Sequence, residues 1–283
     1  MKLSIYKRLA TAWVILVAVA ACGASAGSPD PSASSSGTGD PADVLVSVDG
    51  RSIAGTCAGE SAPGAPTVVL SSGLGNSTTQ LGSIRSALEP ETRVCWYDRA
   101  GLGPSDPSST TQSLSDVVDD LHAFLDQGGI APPYVLVGHS FGGSIVIRYA
   151  QQYPDDIVGF VTMNPVPPYT SWIQRASAVE TPEELQTMEI DFYSGANDEG
   201  LDLRDTDLTI GEPISDDIPY VVMYAENCPG DFCDRIRPVL EAATSEFADL
   251  GAQGRFVSVP NAGHEIFKTN LDDVLAEIRS LLE

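Results

Sequence analysis

Residues 134–152 read YVLVGHSFGGSIVIRYAQQ, and in this stretch an apolar run ends and a helical pattern begins at one serine. Ser140 has Gly138 and Gly142 two positions away on either side. At a strand-to-helix junction, a G-x-S-x-G motif forms a sharp turn that lifts the serine hydroxyl out of the end of the sheet, while the glycines let the backbone pass without a clash. The stretch therefore predicts a buried strand, a strained turn at Ser140 and a helix.

The same alternation of strands and helices runs through most of the chain. Short apolar runs are separated by amphipathic helical patterns such as that of residues 114–127, and Asp49-Gly50 between two alternating runs predicts a β-hairpin. Strands that are apolar on both faces and alternate with helices form a parallel sheet covered on both sides. The sequence therefore predicts an α/β fold with a mostly parallel, twisted eight-stranded sheet. The further strand patterns lie at residues 68–70, 93–101, 157–163, 218–225 and 255–260.

The alternation stops between Asn164 and about Asp217, where the sequence is polar, acidic and only patchily helical. An insertion of this length between strands usually has a function beyond connecting them. We therefore expect a small cap after the sixth strand, at about residues 165–217.

Four segments at the ends of predicted strands resemble the α/β-hydrolase family: SSGLG (71–75), YDRAGLGPSD (97–106), GHSFGG (138–143) and PNAGHE (260–265). The resemblance covers about residues 43–283. It implies an α/β-hydrolase fold with helices on both faces of the sheet. It also implies a serine hydrolase activity similar to that of carboxylesterases.

The resemblance also implies the catalytic groups. A serine hydroxyl needs an adjacent base, and the family pattern places Ser140 as nucleophile and His264 as that base. The backbone N–H groups of Phe141 and Leu74 are expected to form the oxyanion hole. The other two histidines, His122 and His139, are expected to be structural.

The family pattern also includes an acid that completes a Ser-His-Asp catalytic triad with Ser140 and His264, and this sequence matches that part of the pattern less well. Cys228 stands where the acid is usual, and Asn164, at the other position that can bear it, is not a carboxylate. Asp231 is the predicted acid, because a Cys228–Cys233 bridge would brace the loop that carries it. Glu226 is the alternative.

Cysteine usage indicates disulfides. In an exported chain, the even set Cys57, Cys95, Cys228 and Cys233 indicates disulfides rather than a metal site, and sequence alone allows three connectivities. The resemblance favours Cys57 with Cys95, because the second and fourth strands of the family lie side by side.

The first residues predict export. Residues 1–21 have a basic start and an apolar stretch too short to span a bilayer, and the text before Cys22 resembles a bacterial lipobox. We therefore expect a lipoprotein signal peptide, a lipidated Cys22 and a flexible tether over residues 22–42 that is rich in Gly, Ser and Pro. The protein would be exported and anchored by lipid to the outer face of the bacterial cell membrane.

Composition and motifs limit the partners. The formal net charge of −24 disfavours nucleic acid and anionic lipid headgroups, so the membrane is expected to be reached through the anchor alone. The three histidines are scattered and there is no HExxH motif, so neither a metal nor another cofactor is expected. A small-molecule substrate is the expected partner, and the oligomeric state is left open.

The insertion gives the one clue to the substrate. Its acidic residues favour a small or medium ester, or an amide, over an aggregated lipid. One alternative is an aminopeptidase that resembles proline iminopeptidases, in which a carboxylate of the insertion such as Glu199 would bind a substrate ammonium. Another is a hydrolase fold that has lost activity and serves as a binding protein. The acidic residues of the insertion on which this argument rests are Asp191, Asp198, Glu199, Asp202, Asp205 and Asp207.

Overall fold

The computed structural model describes residues 41–283 apart from residues 196, 198 and 228–230, and it does not describe the side chains of residues 188, 191 and 231–233. The predicted signal peptide, the lipidation site Cys22 and the tether before residue 41 lie outside the described residues and stay predictions. Within the described part of the chain, no helix has the length and apolar character needed to cross a membrane.

Eight strands form one sheet, as predicted, and in chain order they are β1 (Ala42–Val48), β2 (Arg51–Ala58), β3 (Thr67–Ser71), β4 (Val94–Tyr97), β5 (Tyr134–His139), β6 (Ile157–Met163), β7 (Tyr220–Ala225) and β8 (Gly254–Val259). Their spatial order is β1-β2-β4-β3-β5-β6-β7-β8. β2 pairs antiparallel with β1 and β4, and the remaining neighbours are parallel.

The turn between β1 and β2 confirms the predicted hairpin. Asp49 and Gly50 both have positive φ angles, 48° and 77°, and Val48 pairs directly with Arg51 across the turn. Two successive residues with positive φ match the right-handed twist of the flanking strands, which is why Asp-Gly is favoured there.

Helices cover both faces of the sheet. Successive strand residues point to opposite faces, so Val68 and Leu70 pack with α1 and α8 while Val69 packs in the cluster that contains α2 and α3. This double burial explains why the central strands are apolar throughout. The helices are α1 (Gly82–Leu88), α2 (Leu114–Gln127), α3 (Phe141–Gln152), α4 (Tyr169–Ala176), α5 (Pro182–Met188), α6 (Leu208–Gly211), α7 (Asp231–Ser245) and α8 (Leu271–Arg279).

Residues 165–217, which we call the insertion, lie between β6 and β7. They contain α4, α5 and α6, with a π-helical turn at Glu189–Tyr193. Trp172, Tyr193 and Leu203 of the insertion belong to the same hydrophobic cluster as the buried residues of α2 and α3. The insertion is therefore packed into the core on that side of the sheet.

A disulfide joins Cys57 of β2 to Cys95 of β4. The two residues are direct partners in the antiparallel ladder, and their Cα atoms are 4.1 Å apart. The pairing expected from strand order is thus present in the structure. The other expected pairing cannot be placed, because Cys228 and the side chain of Cys233 lie outside the described residues.

We predict that replacing both Cys57 and Cys95 by alanine lowers the free energy of unfolding by about 4 kcal/mol, because the bridge closes a loop with a sequence separation of 38. Urea titration of the double variant and the wild type measures this difference. In unfolded, unreduced wild-type protein, peptide mapping after alkylation should find Cys57 and Cys95 blocked. Alkylation of either thiol before reduction would contradict the bridge.

Candidate active site

The turn at Ser140 is strained and tightly packed. Ser140 lies between β5 and α3 with φ 54° and ψ −121°, a conformation that a non-glycine residue holds only where its surroundings impose it. A Cβ atom on Gly138 would lie 2.2 Å from the carbonyl oxygen of Gly142. A Cβ atom on Gly142 would lie 2.1 Å from the carbonyl oxygen of Ser71. Both glycines of the motif are therefore required by close backbone contact.

Backbone hydrogen bonds fix this turn against β6. The N–H of Ser140 donates to the carbonyl oxygen of Met163 at 2.9 Å, and the N–H of Gly143 donates to the carbonyl oxygen of Ser140 at 2.8 Å. The serine side chain is thereby presented at the carboxyl end of the sheet, where ligands bind in open α/β sheets.

The turn after β3, residues 72–75, approaches Ser140 closely. A Cβ atom on Gly73 would lie 3.3 Å from the Cβ atom of Ser140. The N–H groups of Gly73 and Gly75 donate to side-chain acceptors, whereas no acceptor for the N–H of Leu74 is found in the described part of the chain. Phe141 is the first residue of α3, so its N–H has no partner within the helix. These are the two amides that the sequence predicts for an oxyanion hole.

His264 lies in the loop after β8 and lines the same cavity as Ser140. Burial lowers the pKa of His264, so its imidazole is neutral at pH 7 and able to accept a proton. The carbonyl oxygen of His264 accepts hydrogen bonds from Asn164 Nδ2 at 2.7 Å and from His139 Nε2 at 3.0 Å.

Asn164 positions the loop that carries His264, a role that the sequence analysis missed. It follows β6 with φ 47°, its N–H donates to the carbonyl oxygen of Met223, and its Oδ1 accepts from the N–H of Ala225 at 2.9 Å. One amide side chain therefore ties the ends of β6 and β7 to the histidine loop. The signal in the sequence was an asparagine directly after a strand, a residue type that tolerates positive φ.

The acid of the predicted triad is not located by the described residues. Asp231 is the first residue of α7, and its side chain is among those that the structure does not describe. Glu226, the alternative, accepts a hydrogen bond from Ser258 Oγ at 2.7 Å and is exposed. Both assignments stay predictions.

The other two histidines have packing roles. Burial first, and then the proximity of the titratable His264, lower the pKa of His139 to about 4, so this ring stays neutral while it donates to the His264 carbonyl oxygen. The ring of His122 stacks on Tyr153 with 3.8 Å between centroids, on the outer part of α2.

A cavity of about 640 Å³ opens beside Ser140 and His264. The insertion contributes Trp172, Phe192 and Tyr193 to its wall. Among the described residues, no Asp, Glu, Lys or Arg side chain lines this cavity. A pocket of this size with a mostly apolar wall and a few polar groups is typical of small-molecule sites.

Known proteins share this architecture. A family model described as alpha/beta hydrolase fold matches residues 66–195. The crystal structure of VinJ aligns with a TM-score of 0.64 at 20% identity, over 85% of this chain and 98% of VinJ. A thermophilic esterase from Thermogutta terrifontis aligns with a TM-score of 0.62 at 21% identity, over 86% of this chain and 98% of the esterase.

The chain has the α/β-hydrolase fold. The expected fold is thereby confirmed. Among curated proteins, the putative carbamate hydrolase RutD of Yersinia enterocolitica is 38% identical over 120 residues, which are 41% of this chain and 42% of RutD. The chain covers between 15% and 42% of the lengths of its most similar curated relatives.

Within this α/β-hydrolase fold, Arg99 and Glu199 form a buried ion pair. Their side chains are 3% and 1% exposed, and Arg99 Nη2 lies 2.6 Å from Glu199 Oε1. Arg99 also donates to the carbonyl oxygens of Ser72 and Gly73, both at 2.7 Å, and Gly75 N–H donates to Glu199 at 2.5 Å. The pair therefore connects the insertion to the turn at residues 72–75.

These contacts correct one expectation from the sequence. Glu199 cannot bind a substrate ammonium, because both of its carboxylate oxygens already accept hydrogen bonds from Arg99 in a buried environment. The aminopeptidase alternative thus loses Glu199, the carboxylate named for it.

We predict that Glu199→Gln lowers the free energy of unfolding by about 3 kcal/mol, because it leaves the buried guanidinium of Arg99 without its salt-bridge partner. Glu212→Gln is the matched control: Glu212 pairs with Arg148 but its side chain is 55% exposed, so the expected loss is below about 1 kcal/mol. Urea titration of both variants measures the difference. Equal losses of unfolding free energy in the two variants would show that the buried ion pair stabilises the protein no more than the exposed one.

Proposed function

We propose that this chain is a serine hydrolase that cleaves a carboxylic ester or amide through an acyl-enzyme on Ser140. One observation carries the proposal: the strained turn presents Ser140 to a cavity that His264 also lines, beside two backbone N–H groups without acceptors in the described chain. Similarity to solved hydrolases, including the esterase from Thermogutta terrifontis, supports the same class.

In this mechanism, the neutral imidazole of His264 takes the proton of Ser140 as the serine oxygen attacks the scissile carbonyl carbon. The carbonyl oxygen becomes negatively charged and is stabilised by the N–H groups of Leu74 and Phe141, each typically worth about 10²–10³ in rate. The imidazolium then gives its proton to the leaving oxygen or nitrogen as the bond to carbon breaks. Water activated by His264 hydrolyses the acyl-enzyme.

Asp231 is the carboxylate that we assign to the imidazolium of His264. Its place at the start of α7, just after β7, agrees with the chain order of serine, acid and histidine. Glu226 is the weaker candidate, because its carboxylate accepts from Ser258 and is exposed to solvent. An inactive, ligand-binding α/β-hydrolase fold is the competing hypothesis from another class.

We predict that a fluorophosphonate probe labels wild-type protein at Ser140, and that Ser140→Ala abolishes the label. His264→Ala should slow both labelling and ester hydrolysis by at least about 10³-fold, because the serine loses its base. Mass spectrometry of tryptic peptides locates the adduct.

Ser144→Ala and His122→Ala are the matched controls. Ser144 lies one turn further along α3, where its hydroxyl donates to the carbonyl oxygen of Val166, and His122 packs on Tyr153. Both variants should label at the wild-type rate. A folded wild-type protein that does not label would favour the binding-protein hypothesis.

We predict that Asp231→Asn lowers kcat by about 10⁴-fold, since an amide neither stabilises the imidazolium nor fixes the required tautomer. Glu226→Gln should change kcat by less than about twofold, because the Ser258 hydroxyl can donate to an amide oxygen as well. Steady-state hydrolysis of a 4-nitrophenyl ester compares the two. A large loss in Glu226→Gln alone would reassign the acid to Glu226.

A further inference from the structure

The insertion is rich in acids, yet none of its described carboxylates lines the cavity beside Ser140. Five of them accept hydrogen bonds from neighbouring side chains or backbone N–H groups, which satisfies their charge locally. Acidic composition therefore says nothing about the polarity of the cavity. The contacts are Glu189 with Tyr169 Oη, Glu199 with Arg99 and Gly75, Asp202 with Arg204, Asp205 with the N–H groups of Leu114 and Ser115, and Asp207 with Thr170.

The insertion presents aromatic rings to the cavity instead. Trp172 and Phe192 line it with Tyr193, and Tyr224 lines it from the end of β7. The phenol hydroxyl of Tyr193 donates to the carbonyl oxygen of Pro167 at 3.3 Å, and that of Tyr224 donates to the carbonyl oxygen of Arg237 at 3.2 Å. Because both hydroxyls have backbone acceptors, the ring surfaces are what these tyrosines offer a ligand.

A charged substrate group does not fit this wall. A carboxylate or ammonium entering it would lose its water without gaining an opposite charge from the described residues, which is costly. Besides Ser140 and His264, the polar groups in the wall are neutral, such as those of Asn227 and Thr244. The described part of the wall therefore disfavours a charged group and tolerates an occasional neutral polar group.

The size of the cavity argues against very small substrates. At about 640 Å³ it is far larger than an acetyl group, which would leave the aromatic wall without contacts. Each additional methylene group moved from water to an apolar wall is expected to raise kcat/KM by about fourfold, until the cavity is filled.

We propose that the substrate carries a bulky, uncharged, apolar ring group on one side of its scissile ester or amide bond, and that the cavity walled by Trp172, Phe192, Tyr193 and Tyr224 binds this group. The inference rests on the proposed serine hydrolase function. It extends that function from small or medium esters in general to one substrate class, aromatic or alicyclic and without charge near the reacting carbonyl.

The first experiment compares two series of esters with full-length protein. In one, the acyl group of a 4-nitrophenyl ester changes from acetyl to cyclohexanecarbonyl to 2-naphthoyl, with a hemisuccinate as the charged member. In the other, the alcohol of an acetate ester changes from ethanol to cyclohexylmethanol. Rates are divided by those for hydroxide-catalysed hydrolysis, and the series with the larger effect tells whether the ring belongs to the acyl or the alcohol side.

We expect kcat/KM to rise at least about 50-fold from the acetyl to the best ring member of one series, and the hemisuccinate to be hydrolysed more slowly than the acetate. Trp172→Ala should lower kcat/KM for that ring ester about tenfold more than it lowers kcat/KM for the acetate, and a cooperative urea unfolding transition shows that the variant is folded. Ile210→Ala is the control, because Ile210 is an exposed apolar residue of the insertion that does not line the cavity.

The outcomes separate the inference from the function beneath it. If Ser140 reacts with the fluorophosphonate but the acetate or the hemisuccinate is the best substrate, the serine hydrolase stands and the ring-group inference is wrong. The inference is also wrong if Trp172→Ala and Ile210→Ala change the ring preference equally. If neither labelling nor hydrolysis depends on Ser140, the proposed function is wrong, and the ring-group inference that rests on it is wrong as well.

Discussion

Close backbone contact between α3 and the end of β3 is the constraint on which the site depends. Gly142 approaches the Ser71 carbonyl so closely that a methyl group there would lie 2.1 Å from it. This contact brings Ser140 and the N–H of Phe141 beside the turn at residues 72–75. Because the chain reverses within one residue, Ser140 adopts a φ of 54°, which is unfavourable for a residue other than glycine. Ser140 and the turn at residues 72–75 could not meet this closely if position 142 had a side chain.

A buried charge pair then links that turn to the insertion. Arg99 donates to two carbonyl oxygens of the turn and to Glu199, which in turn accepts from Gly75. Buried charges are stable only when paired and hydrogen-bonded, so the turn, the loop after β4 and the insertion have to adopt their positions together. The segment that walls the cavity is thus held to the same framework as Ser140 rather than forming a separate lid.

The histidine loop is held by neutral groups. Asn164 and His139 both donate to the carbonyl oxygen of His264, and Asn164 also accepts from the N–H of Ala225. These contacts anchor the backbone of His264 and do not involve its imidazole. Burial lowers the pKa of His264 and outweighs the opposing effect of the nearby Glu265 charge.

The sequence by itself determined the features that depend on neighbouring residues: the Asp49-Gly50 hairpin, the alternation of strands and helices, and the turn around Ser140. Strand order taken from the family resemblance added the Cys57–Cys95 bridge. Only the tertiary structure decided which groups form hydrogen bonds and ion pairs with the acids of the insertion. It also decided that Asn164 holds the loop carrying His264, and that aromatic rings line the cavity. Arg99 and Glu199 are 100 residues apart, as are Asn164 and His264, and no local periodicity encodes contacts between such distant segments.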